Sequence, residues 1–332
     1  MDDAIRLTGV RKTFGSKVAV EGLDLAIERG SLTGFIGPNG AGKTTTIRMI
    51  MAILFPDAGR IEVLGRKSAV ESKDRIGYLP EERGVYKKMK VLAFLEHMAA
   101  LKGVRGGGLR QKVFDWLAKV ELEGVHAKRC EELSKGMQQK VQFIASVIHE
   151  PELLILDEPF SGLDPVNMRL LRDLVMEQHK AGRTVIFSTH VMHTAEALCD
   201  HIVMISRGRK VLDAPLAQIE REHEAREIAF VPLDTGAGFE AVEAVEGVAS
   251  VRRTERGGAA LIREGESIAE VMGRVAGSMA MSRVEILRPS LEDLFIDIVK
   301  RQGEENVEQV RASIREAGGG ALAGVGAEGG EA

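Results

Sequence analysis

The chain has 332 residues, is 44% hydrophobic and carries a formal net charge of −4. This length predicts a buried core and more than one domain. The charge is neither basic enough to indicate a nucleic-acid partner nor acidic enough to indicate disorder. Cys130 and Cys199 have no Cys-x-x-Cys spacing, so neither a disulfide framework nor a zinc ribbon is indicated, and a reducing compartment is expected.

No apolar run approaches the roughly 18 residues that a membrane helix needs. The start Met1-Asp2-Asp3 is acidic where a secretory signal would be basic. We therefore expect that, if the protein acts at a membrane, another chain crosses it.

The first 36 residues predict strands. Apolar and polar residues alternate from Ile5 to Ile27, with turn signals at Gly15-Ser16, and the apolar run 32–36 follows. This pattern is typical of a strand-turn-strand segment leading into a further strand. Phe14 precedes the first turn, where it can stack on a nucleotide base or pack under the hairpin, and the two interpretations are about equally supported.

Residues 37–45 read GPNGAGKTT and match the phosphate-binding pattern G-x-x-x-x-G-K-[ST]. The glycines let backbone N–H groups converge on phosphate oxygens, and the helix that begins at about Lys43 directs its positive end to the same anion. Lys43 can reach the β- and γ-phosphates, and the Thr44 hydroxyl can bind Mg²⁺. With Phe14, the predicted ATP-binding residues are Gly37, Pro38, Asn39, Gly40, Ala41, Gly42, Lys43, Thr44 and Thr45.

After the first helix, the sequence predicts a strand over 75–80 and then a helical insertion over about 89–149. Glu81 follows that strand, where it can approach Mg²⁺ or, with Glu82, form a solvated charge pair at a turn. Within the insertion, Trp116 is interpreted as helix core. Ser134 is a good helix N-cap.

Four aliphatic residues precede Asp157 and Glu158, which predicts a strand buried on both faces. In an open parallel sheet, ligands bind at the carboxyl ends of strands, so both acids are expected beside the phosphate loop. Asp157 can hold Mg²⁺ and Glu158 can polarise the attacking water. A capping role for Asp157 is the alternative.

A turn at 161–164, a helix over about 168–180 and a strand over 183–188 follow. His190 ends that strand, from which it can reach the γ-phosphate and Glu158. A metal site from His190, His193, Cys199 and His201 fits no common zinc spacing, so the last three are interpreted as ordinary helix or strand residues.

These motifs together resemble the ATP-binding subunit of ABC transporters, in the family's order across about residues 4–216. GPNGAGKT resembles the Walker A loop, LLILDEP the Walker B strand with its general base Glu158, and STH the switch loop with His190. LSKGMQQ resembles the signature through Ser134, Gly136 and Gln138, and SGLD the D-loop with Asp164. Phe14 falls where the family's adenine-stacking aromatic stands.

Two positions depart from the family's pattern. Lys135 and Met137 change the usual signature LSGGQ, while Ser134, Gly136 and Gln138 keep a hydroxyl, a bare backbone and an amide. Glu81 stands at about the Q-loop glutamine, so a group that only accepts hydrogen bonds replaces one that also donates. Metal contact by Glu81 is retained in principle.

The resemblance implies an ATPase with ATP and Mg²⁺ as cofactors. One loop and one signature per chain leave a subunit's site incomplete, and in the family the signature of one subunit covers the nucleotide of another. The implied partners are a second ATPase subunit, identical or related, and an integral membrane permease, with no nucleic acid. The implied location is cytoplasmic, peripheral on the inner face of the cell membrane through that permease.

Two other functions are weighed. A soluble ABC ATPase acting on ribosomes or DNA ends is the alternative, but the two cassettes of translation factors and the long coiled coil of DNA-repair members are not visible. A catalytically weak nucleotide sensor is opposed by Glu158 and His190.

Beyond residue 219 we expect a charged linker at 220–227 and then the order β-α-β-β-α-β over 228–302. This order is typical of a ferredoxin-like sandwich. The stretch 289–295 (PSLEDLF) is similar to the C-terminal extension of ATPases that serve ABC-2 exporters of sodium, drugs and antibiotics. A stabilising or dimerising role is favoured over a regulatory ligand domain, because no catalytic constellation is present.

The predicted architecture is an α/β P-loop NTPase of the ABC type at 1–219, with a helical subdomain, and a small α+β C-terminal domain at 228–302. The Gly, Ala and Glu-rich tail 303–332 is expected to be mostly disordered.

Overall fold

The structure is a computed structural model that describes residues 3–82, 84–222, 226–234, 236–254 and 256–301. The described chain forms two compact units, residues 3–216 with 296–301, and residues 217–295. The predicted disordered tail and part of the predicted linker lie outside the described residues.

The elements of residues 3–215 are β1 (Asp3–Phe14), β2 (Lys17–Glu28), β3 (Leu32–Ile36), α1 (Lys43–Ile50), β4 (Ala58–Val63), β5 (Ile76–Leu79), α2 (Val91–Leu101), α3 (Leu109–Lys119), α4 (Lys135–Val147), β6 (Leu153–Asp157), α5 (Pro165–Lys180), β7 (Thr184–Thr189), α6 (Met192–Glu196), β8 (His201–Ser206) and β9 (Arg209–Pro215). The chain continues through α7 (Leu216–Glu222), β10 (Glu227–Pro232), α8 (Glu240–Glu243), β11 (Val248–Arg253), β12 (Gly258–Ile262), α9 (Ile268–Ser278), β13 (Met281–Leu287) and α10 (Leu291–Arg301).

A six-stranded sheet in the order β5-β6-β7-β3-β8-β9 is the centre of the first unit. All of its neighbouring pairs are parallel except β8 with β9. Every residue of β3, β6 and β7 is buried, as expected for strands covered on both faces. Because Ile36 pairs with Thr189 and Asp157 with Ser188, the carboxyl ends of these three strands meet at one edge.

A second, antiparallel sheet in the order β2-β1-β4 contains the predicted strand-turn-strand segment. Its alternating apolar residues, among them Ile5, Leu7 and Ile27, share one buried cluster with Phe35 of β3 and Ile47 of α1. Burying this face places α1, and the loop before it, between the two sheets.

The predicted helical insertion is present between β5 and β6 as α2, α3 and α4. Trp116 of α3 is half-buried and meets Phe143 of α4 edge to face, with ring centroids 6.4 Å apart. Downstream, α5 begins at Pro165 and not at about Met168, because Asp164 caps its first turn and proline suits the first helical position.

The three residues weighed for a metal site occupy ordinary positions in this unit. His193 lies in α6, and His201 in β8 is hydrogen-bonded to Asp213 at 2.7 Å. Cys199 is buried behind β3, where a Cβ on Gly34 would lie only 2.8 Å from its sulfur. Cys130 is also buried, and both thiols are free.

The second unit has the predicted β-α-β-β-α-β order and a sheet ordered β11-β12-β10-β13 with antiparallel pairs throughout. Its buried cluster joins Ile228 and Phe230 of β10 to Val242 of α8 and Val271 of α9. This is the ferredoxin-like arrangement expected from the sequence. Within the described residues of the whole chain, no helix combines the length and apolar character of a membrane span.

Candidate nucleotide-binding site

The loop between β3 and α1 is held in a conformation that only glycine adopts easily. Gly40 and Gly42 have φ of 78° and 108°. A Cβ on Gly42 would lie 2.5 Å from Ala19 O, and one on Gly37 would lie 2.2 Å from Ile205 O. The first turn of α1 has no side-chain cap, so its N–H groups are available to an anion.

We predict that Gly42→Ala destabilises the unit by about 3 kcal/mol or more and weakens ATP binding, since it adds a steric clash to a left-handed backbone. Gly40→Ala is the matched control, because its φ is similarly positive but no atom lies within 4 Å of its Cβ position. Gly40→Ala is expected to lower the free energy of unfolding by about 1 kcal/mol. Thermal unfolding and ATP titration measure both, and equal effects would contradict the packing argument.

Lys43 is the buried cation of this loop. Its Nζ donates to Gly37 O at 2.7 Å and to Pro38 O at 3.3 Å, and it lies 3.5 Å from Glu158 Oε1. Burial lowers the pKa of Lys43, and the nearby Glu158 carboxylate opposes this shift. The loop's own carbonyl groups therefore hold the ammonium beside the place where a phosphate can be bound.

Asp157, the last residue of β6, accepts hydrogen bonds from Ser188 at 2.5 Å and from the Thr44 hydroxyl at 3.3 Å through Oδ1. Its Oδ2 is buried and has no hydrogen-bond partner within the described residues. Burial raises the pKa of Asp157, and the hydrogen bonds from Ser188 and Thr44 oppose this shift. An unpartnered oxygen beside the Thr44 hydroxyl fits a divalent cation with oxygen ligands.

Glu158, directly after β6, has a left-handed backbone with a φ of 49°, which is uncommon for a residue other than glycine. Its N–H donates to Ser188 Oγ at 3.0 Å, and its Oε1 lies 2.9 Å from His190 Nδ1. The structure thus brings together Lys43, Glu158 and His190. Ser188 supports both acids, a role that our sequence analysis did not identify.

A cavity of about 390 Å³ lies over the loop. Phe14, which has 49% of its surface exposed, lines this cavity together with the acids Glu81 and Glu158. Partial burial, together with the charges of Asp157 and Glu158, raises the pKa of Glu81. The remaining lining residues are Lys17, Ala19, Asn39, Gly40, Gly42, Lys43, Thr44 and Thr45, of which Lys17 and Ala19 were not predicted.

The predicted signature residues do not line this cavity in the part of the chain that the structure describes. Ser134 caps α4 by accepting from Met137 N at 3.3 Å, and Gly136 lies beside Asn167. The Gln138 amide nitrogen donates to two carbonyls of its own chain, both at 3.1 Å. Asp164 accepts from the N–H groups of Val166 and Asn167.

A glycine-rich loop between a parallel strand and a helix, with a buried lysine and two acids at the end of another strand of the same sheet, defines a P-loop nucleoside triphosphatase. A family model described as ABC transporter matches residues 20–161. The uncharacterized ABC transporter ATP-binding protein YhaQ of Bacillus subtilis (strain 168) is 40% identical over 290 residues, which cover 87% of this chain and 96% of that protein.

Two further comparisons agree. Nod factor export ATP-binding protein I of Rhizobium sp. (strain N33) is 32% identical over 306 residues, covering 91% of this chain and 99% of that protein. The solved structure of an ATP-binding subunit of an ABC transporter is 29% identical with a TM-score of 0.61, covering 66% of this chain and 92% of that chain. The chain belongs to the ABC transporter ATP-binding proteins, which hydrolyse ATP to power transport.

Proposed function

We propose that this chain is the Mg²⁺-dependent ATPase subunit of an ABC-2 type exporter, working with an integral membrane permease. The observation that carries the ATPase is that Lys43, Thr44 and Glu158 line one cavity, where Thr44 contacts Asp157 and Glu158 contacts both Lys43 and His190. Export is supported by the Nod factor relative, which aligns over 99% of its own length.

In this proposal, the N–H groups of residues 40–44 and the Lys43 ammonium bind the β- and γ-phosphates of ATP. Thr44 and Asp157, with Glu81 nearby, would hold Mg²⁺, which neutralises phosphate charge when it is bound. Binding of the phosphates replaces the contacts of Lys43 with Gly37 O and Pro38 O.

Glu158 accepts a proton from the attacking water, and His190 orients the Glu158 carboxylate through their 2.9 Å contact. Because Nδ1 of His190 faces Glu158, its other ring nitrogen is the atom that would contact the γ-phosphate. Phe14, which lines the same cavity, stacks on the adenine base.

We further propose that a second ATPase subunit completes the site. Ser134 and Gly136 of one chain would contact the nucleotide held by the other, together with Asp164. Gln138 would then contribute through its carbonyl oxygen, because its amide nitrogen is engaged within its own chain. Such closure depends on ATP and is reversed by hydrolysis.

The test is light scattering of the Glu158→Gln variant, which is expected to retain ATP. ATP with Mg²⁺ should shift its mass from 36.1 kDa to twice that value. Glu82→Gln is the control, since the Glu82 side chain is 86% exposed, and it should hydrolyse ATP without accumulating dimers. Monomers of Glu158→Gln at saturating ATP would contradict this arrangement.

The proposed domain division is an ATPase at 1–219, a linker at 220–227 and an accessory domain at 228–302 that stabilises or dimerises the protein. We place the protein in the cytoplasm, peripheral on the inner face of the cell membrane through the permease. Copurification of an integral membrane protein with the tagged chain tests this placement, and recovery of the chain without one from solubilised membranes would count against it.

A further inference from the structure

Asp57 precedes β4 and binds three consecutive residues at the end of β1. Its N–H donates to Arg11 O at 2.8 Å. Its Oδ2 accepts from the N–H and the hydroxyl of Thr13, both at 2.7 Å, and its Oδ1 accepts from Lys12 Nζ at 2.8 Å. These four hydrogen bonds lie immediately before Phe14, the aromatic residue of the nucleotide cavity.

The Asp57 carboxylate binds the backbone of β1 just beyond the point where the backbone pairing of β1 with β4 ends. Arg11 with Ala58 is the last pair of that ladder, and Pro56 precedes Asp57 and has no N–H to donate. The Thr13 N–H therefore has a carboxylate as its partner in place of a strand. Hydrogen bonds from Lys12 and Thr13 lower the pKa of Asp57 to about 2, so the carboxylate is ionised at neutral pH.

Lys12 extends this network to the Phe14 ring. While its Nζ is bound to Asp57, it also lies over the ring, 5.6 Å from the centroid. The Lys12 side chain is only 16% exposed, whereas Phe14 is 49% exposed. Lys12 thus lies over one face of the ring but is not among the residues that line the nucleotide cavity, whereas Phe14 is.

We propose that Asp57 is a positioning residue for the nucleobase: through Thr13 and Lys12 it fixes the Phe14 ring so that its open face stacks on the base of ATP. This inference rests on the base-stacking role proposed for Phe14. Phe14 pairs with Lys17 of β2 across the tight turn Gly15-Ser16, but on its other side the ladder to β4 has already ended at Arg11. Asp57 provides the missing restraint without touching the nucleotide.

The experiment is a double-mutant cycle of Asp57→Ala and Phe14→Ala in the full chain. Calorimetric titration with the non-hydrolysable analogue AMP-PNP and Mg²⁺ measures binding of base and phosphates, and titration with inorganic tripolyphosphate measures the phosphate loop alone. Phe14→Ala should weaken AMP-PNP binding about 10-fold, as expected for a lost aromatic stack. Asp57→Ala should weaken it by about 3- to 5-fold, a fraction of the stacking effect.

In the double variant, AMP-PNP should bind no more weakly than in Phe14→Ala, and tripolyphosphate affinity should be unchanged throughout. The positioning role would be overturned if the fold-losses of AMP-PNP affinity in the two single variants multiply in the double variant. It would also be overturned if Asp57→Ala lost tripolyphosphate affinity as much as AMP-PNP affinity. If Phe14→Ala binds AMP-PNP normally while Asp57→Ala does not, the stacking role of Phe14 fails as well, and that outcome is distinct from the first two.

Two variants separate positioning from folding. Asp57→Asn keeps the side-chain volume and an acceptor for Thr13 but loses the charge that holds Lys12, so it should retain the melting temperature and show part of the affinity loss. Asp24→Ala is the matched control, because Asp24 also accepts a backbone N–H of β1, from Gly9 at 2.7 Å, at a distance along the strand from Phe14. It should lower stability and leave AMP-PNP affinity unchanged. Equal affinity losses for Asp24→Ala and Asp57→Ala would reduce the effect to general destabilisation.

Discussion

Lys43→Ala is expected to lower the rate of ATP hydrolysis by at least about 100-fold, the loss typical for removing one preorganised charge from a transition state. Lys43 is the buried cation of the phosphate loop, and two loop carbonyls hold its ammonium at 2.7 and 3.3 Å. The ammonium therefore already lies at the loop, and phosphate oxygens need only replace these two carbonyls as its partners. Phosphate release from ATP and Mg²⁺ measures the rate, and equilibrium dialysis measures ATP retention.

Two further variants test whether the position of the charge matters. Lys43→Met keeps the aliphatic stem that fills the buried site, so a loss of activity with a normal melting curve separates chemistry from folding. Lys17→Ala removes an exposed cation from the lining of the same cavity and should reduce the rate far less. Unchanged turnover in Lys43→Ala would contradict the assignment of the whole site.

Glu158→Gln is expected to reduce hydrolysis by about 10²- to 10⁴-fold while ATP binding is retained. The amide keeps the size of the side chain and its contact with His190, but it cannot accept a proton from water. The Glu158 backbone has a φ of 49° and its N–H is bound to Ser188, so the substitution leaves the main-chain support in place. Single-turnover hydrolysis and bound-nucleotide analysis measure the two effects separately.

His190→Ala should fall between the wild type and Glu158→Gln, because the general base remains but loses the contact that orients it. Glu82→Gln should be near wild type. A Glu158→Gln variant that hydrolyses ATP within about 10-fold of the wild-type rate would assign the general base to another residue.

Local sequence patterns were sufficient for the parts of the site that are continuous in the chain. The spacing of Gly37, Gly42 and Lys43 reflects the close approach of the loop to Ala19 O and Ile205 O. The aliphatic run before Asp157 reflects a strand buried on both faces. In both cases, close packing of the loop and burial of the strand restrict residues that are near one another in the chain, so the sequence pattern is enough to predict them.

Contacts between distant segments could not be predicted in this way. Ser188 supports Asp157 and Glu158 only because β6 and β7 are neighbours with Asp157 opposite Ser188, and strand order is not encoded in local periodicity. Asp57 reaches Thr13 of β1 only because it directly precedes the neighbouring strand β4. The hairpin of β8 and β9 was not predicted either. The earlier start of α5 was the one local signal overlooked, since aspartate followed by proline is a strong helix start.

The burial of both free cysteines has a practical consequence. Burial raises the pKa of each thiol and shields it from reagents, Cys130 within the helical insertion and Cys199 behind β3. Alkylation therefore requires local opening, and its rate at each sulfur reports the opening free energy of that region. The native chain thus contains two separate chemical reporters, with which tightening of the helical region and of the central sheet can be followed independently during nucleotide turnover.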